Sequence, residues 1–232
     1  KDYDSTVVIE PSEINKPIWS KFLELAFDDF AGLIAPRTIV FCEGTQQGRK
    51  NKKFDQEVYT KIFQNEMPDV AFISIGSCSE LEDPNNVSMR IVREVLKNSK
   101  RIKLVDRDDK SEEQVSECKR KGIRVLGRRH LECYLFDDEL IRKLCQVKGM
   151  PEKEAECLEM KKQAMQDSVS RGNPSDDVKS ASGVIYTNLK RILQLTRCGN
   201  DTHSFLRDTM APLLTSDMPL YAEIKQSIFG EQ

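Results

Sequence analysis

The sequence has no long apolar run, no C-x-x-C pair and almost no net charge, and each absence excludes a class of protein. No stretch approaches the ~20 apolar residues that a membrane-spanning helix needs, and no signal peptide is recognisable. The seven cysteines are scattered and odd in number, which disfavours a zinc knuckle and a disulfide framework. We therefore expect a protein of the reducing cytoplasm that does not contact membranes.

The charge of the chain is dense but balanced. Charged residues make up 32% of the sequence and the net charge is -2, so composition alone favours neither nucleic acid nor membrane as a partner. Any basic surface must be local. The length of 232 residues fits one main globular unit with a helical appendage. The chain begins with Lys1 rather than Met, which fits a piece of a longer protein as well as a complete chain.

Apolar segments alternate with amphipathic ones between residues 35 and 140. The segments "TIVF", "VAFISIG", "RIKLVD" and "IRVLG" are typical of buried strands, and apolar residues recur at helical spacing between them. This order predicts an α/β fold with a mostly parallel, four-stranded sheet flanked by helices. Residues 1–34 are interpreted as an N-terminal linker and packing helix, or as the end of a preceding domain. Residues 141–232 are predicted to form a helical extension, with a polar loop at 170–183.

Carboxylates follow two of the predicted strands. Glu43 and a glycine come after "TIVFC", and "LVDRDD" places Asp106 and Asp108 in a D-x-D pattern. In an open α/β sheet, ligands collect beyond the carboxyl ends of the strands. Side-chain alternation along an extended strand would point Asp106 and Asp108 to the same side. A strand order of 2-1-3-4 would then bring all three carboxylates to one point.

Three carboxylates at one point repel one another unless a cation lies between them. Mg²⁺ or Mn²⁺, as one or two ions, is therefore the expected cofactor, because these hard ions bind a few carboxylates and keep several waters. A D-x-D-D segment alone is more often a solvated turn that caps a helix. The combination with Glu43 is what indicates a metal site.

The order of these motifs resembles that of the Toprim domain of topoisomerases, primases and OLD-type (overcoming lysogenisation defect) nucleases. Together, "IVFCEG", "FDQEVYTKIF", "LVDRDD" and "VLGRRHLECYL" are most similar to the Toprim-type nuclease modules that accompany ABC-class ATPases in bacterial anti-phage systems. These systems include the OLD-like proteins and the effector of the PARIS defence system. The resemblance covers residues 34–140. It implies metal-dependent phosphodiester cleavage in DNA or structured RNA, with an ABC-class ATPase domain or subunit as partner.

The resemblance also implies roles for individual residues. Glu43, Asp106 and Asp108 match the invariant acids of the motif and would be both catalytic residues and metal ligands. Family members often carry another acid soon after the Glu-Gly pair, where this sequence has Gln47; we assign that role, as a further metal ligand, to Asp55. An insertion, "TQQGRKNKK", separates it from Glu43. In "RRHLECYL", Glu132 is the candidate for an additional catalytic acid, with an ordinary first-turn helix acid as the alternative.

Two local groups of basic residues lie near the predicted site. Such groups bind phosphate oxygens without reading base sequence. The predicted nucleic-acid-binding residues are Arg49, Lys50, Lys52 and Lys53 in the insertion, and Arg128, Arg129 and His130 after the fourth strand. The alternatives are a solvated loop for the lysines and a structural role for His130. His203 is predicted to be a surface or capping residue, and a homo-oligomer is compatible with the sequence.

Three other functions fit the sequence less well. "GTQQGRKN" follows a strand as a phosphate-binding loop would, but it has one spacer too few and no Ser or Thr after the Lys. A phosphotransferase with an Asp nucleophile would leave Glu43 without a role. A catalytically silent Toprim-fold module that regulates an ATPase complex remains the main alternative. Cys42 and Cys78 lie near the strand ends, but no base is placed beside either, so a catalytic thiol is disfavoured.

Overall fold

The computed structural model describes residues 36–44, 53–83 and 85–230. Its four strands form a single sheet in which all strands are parallel and the order is β2-β1-β3-β4. The strands are β1 (Thr38–Cys42), β2 (Val70–Ser74), β3 (Lys100–Val105) and β4 (Ile123–Val125). This confirms the predicted α/β class and the predicted strand order.

Helices cover both faces of the sheet and form the C-terminal part of the chain. They are α1 (Phe54–Phe63), α2 (Cys78–Glu82), α3 (Val87–Val95), α4 (Glu112–Arg120), α5 (Glu132–Leu135), α6 (Asp138–Val147), α7 (Glu154–Ser170), α8 (Val178–Ile192), α9 (Thr202–Phe205) and α10 (Pro219–Phe229). A π-helical turn (Leu206–Met210) and two short 3-10 segments (Pro151–Lys153 and Ala211–Leu213) complete the helical part. None of the helices in the described ranges is long and apolar enough to cross a membrane.

The inner strand β1 is apolar after Thr38 because both of its faces are covered. Ile39 and Phe41 belong to an apolar cluster with residues of α3 and α4. Val40 and Cys42 point the other way, into a larger cluster formed with α1 and the C-terminal helices. Alternation along one strand thus divides the interior into two layers, as the pleat of a strand requires.

The helices after residue 140 pack directly onto the sheet layer. The ring of Phe63 in α1 lies 5.3 Å from that of Tyr221 and 5.5 Å from that of Phe229, both in α10, measured between centroids. Residues on both sides of position 140 therefore share one apolar core. The predicted unit boundary at this position stays a prediction, and residues 1–34 lie outside the described ranges.

The prediction of a polar loop over 170–183 is wrong for its second half. Helix α8 begins at Val178 because Asp177 caps it: Asp177 Oδ1 accepts a hydrogen bond from the backbone N–H of Ser180, at 3.0 Å. The polar residues of this first turn, which resemble a loop in the sequence, are therefore helical. Lys179 lies in that turn.

Candidate metal centre

The carboxyl ends of β1 and β3 place two predicted ligands side by side. These strands are neighbours in parallel register, with Phe41 aligned to Lys103. Glu43 follows the end of β1, and Asp106 follows the end of β3. Glu43 Oε1 accepts a hydrogen bond from the backbone N–H of Asp106, with 3.3 Å between the two atoms. The structure thus brings together two acids that lie 63 residues apart in the sequence.

Two further predicted acids border the same space. Asp55 lies in the first turn of α1, and the neighbouring Gln56 holds that turn against the sheet by accepting a hydrogen bond from the backbone N–H of Ser74, at 3.1 Å. Glu132 is the first residue of α5 and is only 5% exposed. A cavity of about 190 Å³ forms between these elements. Its lining residues are Glu43, Gly44, Phe54, Asp55, Asp106, Glu132, Lys179 and His203.

Three acids of the cavity, Glu43, Asp55 and Asp106, have pKa values above those of free carboxyl groups. Burial, followed by the nearby carboxylate of Asp55, raises the pKa of Asp106 well above its usual range. Burial and the charge of Glu132 raise the pKa of Asp55 to about 7. The pKa of Glu43 is also raised, by burial and then by Asp108. Crowded, partly buried carboxylates of this kind are stabilised by a cation between them.

Asp108 reaches the site by a different route from the one expected. Strand β3 ends at Val105, so the alternation of an extended strand does not orient Asp108. Instead, Asp108 lies in a turn with a left-handed backbone conformation, at a φ of +44°. Its backbone N–H donates a hydrogen bond to the carbonyl oxygen of Arg129, at 3.0 Å. The side chains of Asp106 and Asp108 nevertheless lie close together, because each offers a ligand atom within 4.8 Å of the other and of His130.

His130 is buried and bound to this turn. Its Nε2 lies 3.0 Å from Asp108 Oδ1, and its Nδ1 lies 3.8 Å from Asp177 Oδ1. Burial opposes protonation of the imidazole, but the hydrogen bonds to Asp108 and Cys133 and the charge of Asp106 together outweigh it and raise the pKa of His130 to about 10. The hydrogen bond from His130 lowers the pKa of Asp108. At neutral pH the two side chains form an ion pair, which holds Asp108 at the edge of the cavity.

The other predicted phosphate-binding residues have different surroundings. Arg128 donates to both carboxylate oxygens of Glu223 at 2.8 Å and to Asp137 at 2.6 Å. Arg129 donates to Asp109 at 2.6 Å and to Asp176 at 2.9 Å. Both guanidinium groups are therefore already paired with carboxylates of the same chain. Lys53 is exposed next to the start of α1, and Arg49, Lys50 and Lys52 lie outside the described residues.

Two residues of the cavity wall were not expected from the sequence. The sequence predicts a loop at Lys179 and a surface or capping role for His203, yet both residues line the cavity. The His203 ring makes an edge contact with Phe54, at 4.7 Å between centroids. The signal that could have placed Lys179 is the Asp-x-x-Ser cap at Asp177, which marks the start of a helix.

The chemistry of the cavity fits a hard divalent ion. Four carboxylates provide only oxygen donors, and Mg²⁺ and Mn²⁺ prefer such ligands. The volume corresponds to about six water molecules, at ~30 Å³ each, which leaves room for an ion and several of its waters. Asp106, Asp108 and His130 form a second possible ligand set, because each offers one ligand atom and these atoms lie within 4.8 Å of one another.

Comparison of the chain with protein-family models, with curated proteins and with solved structures finds no match.

Proposed function

We propose that this chain is a metal-dependent nuclease of the Toprim type, which hydrolyses phosphodiester bonds in DNA or structured RNA. The observation that carries the proposal is the contact between Glu43 and Asp106, which unites the two motifs of the resemblance in one cavity. Asp55 and Glu132 add two carboxylates to it. Four acids at the carboxyl edge of a parallel sheet are typical of a site that binds a ligand rather than of a structural contact.

The residues have distinct roles in the proposed reaction. Glu43, Asp55, Asp106 and Glu132 would hold Mg²⁺ or Mn²⁺. When bound, such an ion lowers the pKa of water and neutralises charge on a phosphate oxygen. Asp108 is held by His130 at the edge of this group and would be a further ligand. In the hydrolysis, the oxygen and one hydrogen of a water go to phosphorus, the P–O ester bond breaks, and the second hydrogen goes to the leaving oxygen.

Asp55 would act as a ligand of the ion. In the metal-free cavity its pKa is about 7, and a bound cation would stabilise its charged form and lower that pKa. The carboxylate lies in the first turn of α1, which faces the cavity.

The wider setting in this proposal rests on the resemblance. An ABC-class ATPase, as a subunit or as a further domain, would control cleavage, and the biological role would be defence against phage. A cytoplasmic location is part of the proposal. Six cysteines support it, because their thiols are free: Cys42, Cys118, Cys133, Cys145, Cys157 and Cys198.

Incubation with nucleic acid tests the proposal. Purified protein, with and without the ATPase, would be incubated with Mg²⁺ or Mn²⁺ and with supercoiled plasmid, linear DNA and transfer RNA. We expect cleavage of at least one substrate, and its loss in a double variant with Glu43→Ala and Asp106→Ala. Cleavage that survives the double variant, or that persists in EDTA, would contradict the proposal.

A second candidate is a catalytically silent module that docks on an ATPase. One observation favours it: Val87, Ile91 and Val95 form an exposed apolar row on α3, at 67, 58 and 51% exposure. Such rows are typical of protein contacts. This candidate predicts that no substrate is cleaved even with the ATPase present, and that Ile91→Glu weakens ATPase binding.

A further inference from the structure

Lys179 lies where the helical extension meets the acidic cavity. It is the second residue of α8, and its backbone is fixed because Asp177 caps the first turn through both the backbone N–H and the hydroxyl of Ser180. The Lys179 side chain forms part of the cavity wall together with Glu43, Asp55 and Asp106. An ammonium group from one part of the chain thus faces carboxylates from another.

The ammonium group of Lys179 is close enough to the acids to interact with their charge but does not bind them directly. Burial lowers the pKa of Lys179, but the charges of Glu132, Asp106 and Asp55 outweigh it, so that the net shift is upward and the side chain stays protonated. Ser182 donates a hydrogen bond to the backbone carbonyl of Lys179, at 2.7 Å, but no residue of the described ranges forms an ion pair or a hydrogen bond with its ammonium group. The space between this cation and the carboxylates is therefore part of the cavity.

The size of the cavity limits what can fill that space. A volume of about 190 Å³ holds an ion with a few waters, or an ion and a phosphate group. A second divalent ion in this cavity would share it with the ammonium group of Lys179, and like charges repel. An anion that bridges the first ion and the ammonium group would be attracted by both.

We propose that Lys179 takes the place of a second metal ion, binding one non-bridging oxygen of the scissile phosphate while a single divalent ion, held by Glu43 and Asp106, binds another. This inference rests on the proposed nuclease function and deepens it. Lys179 donates hydrogen bonds to the phosphate and transfers no proton. Two-ion sites divide charge neutralisation between two metals, and here a lysine on a capped helix of the extension would supply the second cationic group.

Two titrations test this role. Four proteins would be compared: wild type, Lys179→Met, Lys179→Arg and, as a matched control that removes the same charge from the same helix, Lys190→Met. The first titration measures Mn²⁺ binding by calorimetry, without nucleic acid. The second measures binding of a short phosphorothioate oligonucleotide by fluorescence anisotropy at saturating Mn²⁺. Because Lys179 as a residue keeps much of its surface in solvent, although its ammonium group lies near the buried acids, we expect these variants to fold. Lys179→Gln serves as a second neutral variant.

We expect wild type to bind one Mn²⁺ and Lys179→Met to bind it at least as tightly, since a repelling cation is lost. Oligonucleotide binding should weaken about tenfold or more in Lys179→Met, the usual effect of losing one charge-assisted hydrogen bond, and much less in Lys179→Arg and Lys190→Met. Two Mn²⁺ ions on wild type, or equal oligonucleotide binding by Lys179→Met and Lys190→Met, would overturn the role of Lys179 and leave the metal site standing. No Mn²⁺ binding at all would overturn the proposed function itself.

Discussion

Glu43 Oε1 lies 3.3 Å from the backbone nitrogen of Asp106, so the end of β1 is bound to the end of β3 at the carboxyl edge of the sheet. This contact orients the Glu43 carboxylate and places it beside the buried Asp106 side chain. The cost of crowding these acids is visible in their raised pKa values. The arrangement therefore favours a bound cation.

Asp106 is the most sensitive position of the proposed site. Asp106→Asn removes a ligand charge while keeping the shape of the side chain, so we expect Mn²⁺ affinity measured by calorimetry to fall by about tenfold or more. The thermal midpoint without metal should stay the same or rise, because a buried carboxylate that is crowded by like charges is lost. Asp167→Asn, on the exposed face of α7, is the control and should leave the affinity unchanged. Equal loss in both variants would contradict a specific site.

The metal-free protein should lose stability as the pH rises. Asp55 has a pKa of about 7 in the folded chain against 3.8 for the free group, so between these values the folded state holds the extra proton. The free energy of unfolding therefore falls as the pH rises from about 4 to about 7. His130, raised from 6.5 to about 10, extends the same trend at higher pH.

Thermal unfolding in EDTA between pH 5 and pH 8 measures this dependence. We expect a lower midpoint at pH 8, a larger increase on adding Mg²⁺ at pH 8 than at pH 5, and a flatter profile for Asp55→Asn. A midpoint that rises with pH in wild type would show that the acids are not crowded as described.

Arg128 is expected to stabilise the fold. Its guanidinium group joins α10, through Glu223, to the N-cap of α6, Asp137. The pairs are partly exposed, so screening by solvent reduces their contribution. We expect Arg128→Met to lower the free energy of unfolding by about 2 kcal/mol, because Glu223 loses a bidentate partner and Asp137 loses one charge-assisted hydrogen bond.

Urea unfolding provides the measurement. Arg93→Met is the control, since Arg93 pairs only loosely with Glu94, at 3.7 Å on the surface, and should cost less than about 0.5 kcal/mol. A cost for Arg128→Met as small as that of the control, together with weaker nucleic-acid binding, would instead place Arg128 in the substrate-binding surface.

Cys42 is expected to be chemically inert although it immediately precedes Glu43. Burial and the nearby Asp55 raise the pKa of its thiol, so little thiolate forms at neutral pH. Cys42→Ala should retain cleavage and Mn²⁺ binding, and the native protein should react slowly with a thiol reagent. Loss of cleavage with intact metal binding would indicate a role for the thiol.

The sequence predicts the sheet well because the signals for its strands are local. Each strand is a short apolar run, and in the connections apolar residues recur at helical spacing. Parallel strands share one carboxyl edge, which relates Glu43 to Asp106. Asp55 was placed from the resemblance alone, and it too lies in the cavity.

What the sequence could not provide depends on contacts between distant residues. In the sequence, Arg128 resembles a phosphate-binding residue. In the structure, Glu223, 95 positions later, accepts two hydrogen bonds from its guanidinium group. Lys179 enters the cavity because a helix starts earlier than its polar residues suggest. Asp108 is oriented by a left-handed turn, which no alternation rule describes. In each case the partner or the backbone conformation is set by packing rather than by periodicity.

The most direct test is crystallographic. Crystals grown with Mn²⁺ would be measured for anomalous scattering, which locates the ion without reference to its ligands. We predict one Mn²⁺ site, coordinated directly by the Glu43 and Asp106 carboxylates, with the Lys179 side chain facing it across the cavity. An ion bound elsewhere, or no anomalous peak in this cavity at saturating Mn²⁺, would contradict the proposed metal centre.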